Sequence, residues 1–136
     1  MKKVLAVIVA VLIAVAFIGC AEGGATRNVI RRIDDSGEFS YWEINSAMNV
    51  VEANFKKHFR GCTLKLLEYD DRVSSEQSEQ WRIQYNAQEA IVLISEFDVD
   101  GSGKSPSLNP NQTYKNWQWI LTKNMLGMWE IKTSGY

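Results

Sequence analysis

The chain has 136 residues, of which 46% are hydrophobic, 11% aromatic and 23% charged, with a formal net charge of −1. This bounds it to one small domain plus extensions and gives no basic footprint for nucleic acid. It carries two cysteines and one histidine, too few for a disulfide framework or a Cys/His metal site.

The first segment is a targeting signal by its layout. Met1-Lys2-Lys3 is a short basic start, Val4 to Ile18 is an unbroken apolar run, and Gly19-Cys20 leads into the small, polar Ala21-Glu22-Gly23-Gly24. The run is shorter than the roughly 20 residues a spanning helix needs. "AFIGC" resembles a bacterial lipobox, which implies cleavage before Cys20 and a diacylglyceryl group on its sulfur. Phe17 stands where Leu is usual, so an uncleaved signal anchor is the alternative. The expected organisation is a signal peptide at 1–19, a lipidated Cys20 with a flexible tether to residue 33, and one domain over 34–136. With Lys2 and Lys3 removed, thirteen basic residues face sixteen acidic ones. Lipidation of Cys20 would leave Cys62 a lone thiol, read as a small buried hydrophobe.

The first helix is announced by Ser40-Tyr41-Trp42-Glu43, a capping box, with Phe39 and Ile44 placed as a hydrophobic staple. Ile44, Ala47, Met48, Val51, Phe55 and Phe59 recur at helical spacing. Gly61 follows the end, and Lys56, Lys57, His58 and Arg60 suit the C-terminal dipole. That cluster is most simply a helix end; contact with anionic lipid is its second reading. Residues 62–69 read as a strand ended by Asp70-Asp71. A helix is expected over about 75–86, with Ser74 or Ser75 as cap, although Trp81, Ile83 and Tyr85 alternate as a strand would.

Residues 90–97 form an apolar, β-branched strand. Asp98-Val99-Asp100-Gly101-Ser102-Gly103 then resembles the start of a calcium loop. Its twelfth position is Asn109 rather than a bidentate Glu, and a strand precedes it instead of a helix. It is therefore read as a turn, with Gly101 and Gly103 supplying positive φ. Residues 113–123 alternate, placing Trp117, Trp119 and Leu121 on one face. Residues 124–127 turn, and Trp129 and Ile131 return on the same face. The fold class expected is α+β, a long helix lying on a curved antiparallel sheet.

Ala90-Ile91-Val92-Leu93, Ser95-Glu96-Phe97, Asn109-Pro110-Asn111, Tyr114, Asn116 through Leu121, Trp129 and Gly135-Tyr136 together resemble a family of bacterial lipoproteins, domain of unknown function 4829. The resemblance covers about residues 38–136. It implies a cone-shaped roll similar to nuclear transport factor 2 and a surface location, and it carries no catalytic residues.

The expected function is a membrane-anchored extracytoplasmic module that binds a small ligand or a protein partner without a cofactor or metal. Met48, Val51, Phe55, Trp117, Trp119 and Trp129 are the candidate lining of a pocket between helix and sheet; the same residues also read as core. The alternative is an isomerase- or hydrolase-like enzyme in that pocket, with Tyr41, Tyr69, Asp70, Tyr85 or Tyr114 as proton-moving candidates. None of these has a spacing that puts a carboxylate on an apolar inward face.

Overall fold

A computed structural model describes residues 23–136. The signal segment and Cys20 lie outside the described residues. Five strands and two helices follow in the order β1 (Ile30–Ile33), α1 (Tyr41–His58), β2 (Cys62–Tyr69), α2 (Asp71–Gln84), β3 (Ala90–Val99), β4 (Thr113–Lys123) and β5 (Trp129–Gly135). The strands form one sheet in sequence order. Pairings from β2 to β5 are antiparallel, whereas β1 lies parallel to β2. The sheet is therefore mixed, not wholly antiparallel as expected. Parallel neighbours need a crossover, and α1 supplies it.

The α1 start forms as its capping box dictates. Ser40 Oγ accepts from the Glu43 N–H at 3.2 Å, and the Glu43 carboxylate accepts from the Ser40 N–H at 2.8 Å. Ile44, Ala47, Met48, Val51 and Phe55 are buried along one stripe. They pack on Leu64, Leu67, Tyr69, Ile91, Leu93, Phe97, Trp119, Leu121 and Trp129 from the sheet. Two bulges keep that face apolar. Lys65 is the extra residue in β2, so Leu64 and Leu67 both point inward. Lys115 and Asn116 together oppose one residue of β3, and Asn116 takes φ 59°. Tyr114 and Trp117 consequently reach the same core.

The tether expected over 20–33 is overturned for its described part. Ala25 pairs with Thr63, and β1 joins the sheet beside β2. The Gly24 N–H donates to the Lys56 carbonyl at 3.0 Å and the Ala25 N–H to Cys62 at 2.9 Å. Gly23-Gly24 is a close-approach device. A Cβ on Gly24 would sit 2.8 Å from the Phe55 ring, and one on Gly23 would collide with the Lys56 carbonyl. Arg31 of β1 reaches the polar flank of α1, donating to Asn45 and Asn49 at 2.8 Å each and pairing with Glu52.

The second helix begins earlier than expected. Its cap is Asp70, whose carboxylate accepts from Arg72 and Val73. Ser74, a cap candidate by sequence, is buried and accepts the Val92 N–H at 3.2 Å. The Trp81 and Tyr85 rings stack at 6.0 Å, one helical turn apart, while Ile83 is exposed. Helix α2 packs against β3, where Ala90, Val92, Ile120 and Thr122 are buried with opposite parity to the main core. Both faces of the central strands are thus covered at this point, although alternation in residues 113–123 suggested one.

Candidate functional site

The interior between α1 and the sheet is filled. Met48, Val51 and Phe55 are completely buried, Trp119 is 1% and Trp129 6% exposed. Trp119 can be buried because its indole N–H donates to Ser95 Oγ at 2.8 Å, and Ser95 donates in turn to the Trp117 carbonyl at 3.2 Å. Trp129 donates to the Glu43 carbonyl at 3.1 Å, tying β5 to the first turn of α1. Phe59, Phe97, Tyr114 and Trp117 form an aromatic cluster at the other end of the same core. Of the six candidates, Trp129 borders a groove of about 470 Å³ outside this interior, and Trp117 borders a space of about 130 Å³ beside His58, Phe59, Ser105, Ser107 and Leu108. The Trp117 indole N–H has no partner among the described residues.

The proton-moving candidates are separated. Tyr41 is exposed at the start of α1, Asp70 is committed to a cap, and Tyr114 stacks on Phe97 at 5.2 Å. Tyr69 is the one with an acidic neighbour, which is Asp71 rather than Asp70. Its hydroxyl donates to Asp71 at 2.9 Å and lies 3.0 Å from Ser36 Oγ, which also receives the Glu38 and Phe39 N–H groups. Burial pushes the phenol above its ordinary value, Ser36 opposes the rise and Asp71 adds to it. A phenol held protonated in this way serves as a pin between the β2–α2 corner and the entry to α1. The Cys62 thiol is likewise raised, first by burial, and donates to the Arg60 carbonyl at 3.6 Å. His58 is exposed at the helix end.

The calcium-like stretch is a connection built from its own side chains. Asp98 accepts from Thr113 at 2.6 Å and stands 3.7 Å from Lys65, while Asp100 accepts from the Ser102 hydroxyl and N–H. The Ser102 bonds hold the Asp100 carboxyl below its usual range. The Asn109 N–H donates to the Tyr114 hydroxyl. Of the two glycines expected at positive φ, Gly103 has it (70°) and Gly101 does not; Asn111 takes 58° instead. A Cβ on Gly101 would lie 2.9 Å from the Asn111 side chain, which would have to shift.

Two open surfaces lie at opposite ends of α1. At its start, Trp42, Ser46 and Val50 face Met128 and Trp129 across a groove of about 470 Å³. Trp42 is 79% exposed, and the turn carries Met125, Leu126 and Met128 outward. The Asn124 side chain shapes that turn by accepting from the Leu126 and Met128 N–H groups. Lys123 closes one side, bonded to Glu43 at 2.7 Å and Glu89 at 2.9 Å and lying 5.0 Å from the Trp129 ring centre. Its bond to Glu43 raises the Lys123 ammonium and lowers the Glu43 carboxyl. Nearby, Glu38 is raised by partial burial and then by Glu89, Asp71 and Glu79, which marks this end as acidic.

At the other end of α1 a groove of about 950 Å³ runs beside residues 23–28, with Arg27, Lys56 and Lys65 on its walls and no carboxylate among its lining residues. Sequence reading missed the first surface and, of the second, singled out only the Lys56 to Arg60 cluster, not Arg27 or Lys65. The signal for the first was four apolar residues, Met125, Leu126, Met128 and Trp42, that the alternating and helical patterns leave outside. Against known proteins, the chain matches no family model, no curated protein and no solved structure.

Proposed function

We propose that this chain is a lipid-anchored, extracytoplasmic binding module without catalytic activity. In this reading a diacylglyceryl group on Cys20 holds it at the outer face of the cell membrane. Two acyl chains give the stable attachment that one chain does not. The body is taken to be the cone-shaped roll implied by the resemblance to domain of unknown function 4829 and nuclear transport factor 2. The observation that favours binding over catalysis is the contrast between a filled interior and an open apolar groove at Trp42 and Met128. The partner that fits is a protein segment presenting apolar side chains flanked by Lys or Arg. Trp42 supplies a rigid anchor, the methionines an adaptable wall, and Glu38, Glu89 and Glu130 the complementary charge.

Mass analysis of membrane-extracted protein should find an acylated N-terminal cysteine. Met1 still attached to the mature chain would end the anchor reading. A photo-crosslinking residue at position 42 or 128 should give a discrete adduct in intact cells that the same residue at Lys132 does not. Indiscriminate adducts at all three positions would remove the groove from the account.

A further inference from the structure

We infer that the end of the body where the chain leaves toward Cys20 is a docking face for an anionic phospholipid surface. The inference deepens the anchor reading and rests on it. Gly24 is bonded to the Lys56 carbonyl, and Cys20 precedes Gly24 by four residues. At roughly 3.3–3.6 Å per residue, those four span at most about 14 Å. A lipidated Cys20 therefore holds the C-terminal end of α1 against the headgroups, with no slack for the body to tumble far from them.

The charge at that end fits the surface it would meet. Arg27, Lys56 and Lys65 wall the groove, and Lys57 and Arg60 are exposed at the same end of α1. The helix dipole accounts for lysines in the last turn of α1. It does not account for Arg27, which precedes β1, or for Lys65, which is the bulged residue of β2. Lys65 has Asp98 as a loose partner at 3.7 Å. The rest of the body is acidic in balance. Glu38, Asp71, Glu79 and Glu89 gather toward the far end of α1, with Glu79 paired to Arg82 and Glu89 to Lys123. Asp98 and Asp100 offset only part of the charge at the basic end. A body so polarised is turned by an anionic surface: its cations are drawn in and its acids are repelled. In the docked orientation the Trp42 groove faces away from the membrane, open to a partner.

The test uses the acylated chain reconstituted into vesicles of phosphatidylcholine alone, or with about one third phosphatidylglycerol. A membrane-impermeant amine reagent labels the lysines, and each is quantified by mass. Lys56, Lys57 and Lys65 should label at least about threefold more slowly in the anionic vesicles, and the protection should vanish near 0.5 M salt, where the screening length falls to about 4 Å. Lys132, beside Glu130 and Tyr85 toward the other end of the sheet, should label equally in both. Equal labelling of all four lysines in both vesicles overturns the docking face while leaving the anchor intact. Arg27→Glu with Lys65→Glu should abolish the protection in a chain whose circular dichroism is unchanged; retained protection would also overturn it. The same digest reports the mass of the Cys20 peptide. If Cys20 is unmodified, the anchor reading falls, and sedimentation of that chain decides the face: preference for anionic vesicles supports it, and equal partition contradicts it.

Discussion

At the start of α1, Glu38 is crowded by Glu89, Asp71 and Glu79, and Trp42 stands exposed beside Met128. Some 14 residues further along, about 21 Å at roughly 1.5 Å per residue, the helix ends among Lys56, Arg27 and Lys65. Local helix rules explain Glu43 in the first turn and Lys56 and Lys57 in the last. They do not explain why Arg27 and Lys65, from outside the helix, add positive charge to one end, or why Glu38, Asp71, Glu79 and Glu89 add an excess of negative charge to the other. The polarity belongs to the assembled body. It depends on the N-terminal strand being folded into the sheet.

The strongest way to break this comparison is to remove what joins the ends. Trp119 touches Phe59 at the basic end, with ring centres 5.3 Å apart, and shares a core with Trp129, which holds Glu43 at the acidic end. Trp119→Ala should cost about 3–5 kcal/mol by cavity formation, with both ends losing amide protection in one transition. Loss of only one end on denaturant titration would mean two independent units. Ser95→Ala separates polarity from volume. It leaves the buried Trp119 N–H without its acceptor and should cost about 1–3 kcal/mol, whereas Gln118→Ala on the same sheet should cost well under about 1 kcal/mol.

Smaller changes sharpen the contrast by acting on one end. Ala25→Pro deletes the N–H that binds Cys62 and should cost about 0.5–1.5 kcal/mol. Its hydrogen exchange should rise at Leu64 and Ile30 and stay unchanged around Trp42. The smallest effect concerns Glu38. Its carboxyl is raised by partial burial and by three acids, so the folded state binds its proton more tightly than the unfolded chain does. That stabilisation is complete below the unfolded value and is lost as pH rises through the raised one. Glu38→Gln should therefore stabilise the protein at pH 7, by less than about 0.5 kcal/mol because the group is exposed to solvent. The gain should fade as the pH is lowered below the ordinary glutamate range, and a gain that grows in acid would refute the crowding.

Much of this architecture was legible where local signals agree. Helix α1 has a capping box, a staple and an apolar stripe that all name the same boundaries, and β4 was readable from its alternation. The misreadings came where a residue's role is set by something distant. Gly23-Gly24 looks like a linker because nothing local reveals the α1 carbonyls against which it packs. Arg31 fell within the expected tether because nothing local reveals Asn45, Asn49 and Glu52 as the stripe that receives it. Asp70 was taken to end a strand, and it does, but it also caps the helix that starts at the next residue.

The functional surfaces were less legible for a related reason. A pattern of apolar residues reports which side chains are buried together, so it led to Trp119, Trp129 and the α1 stripe. The residues left exposed around the groove are those the pattern does not use. Trp42 is set apart from the buried stripe of α1 only by its angular position on the helix. Met125 and Leu126 differ from core residues only in sitting on a turn whose backbone is tied to Asn124.

Orientation at the membrane is the claim on which the account turns, and depth measurement tests it most directly. Spin labels at Lys57→Cys and Trp42→Cys in the acylated chain, on anionic vesicles, can be read against a nickel chelate fixed at the headgroups; Cys62 is buried and Cys20 blocked in the proposed form. The label at position 57 should relax strongly, and that at position 42, about 22 Å further along the helix, weakly. Equal relaxation at the two sites, or the reverse order, would contradict the account.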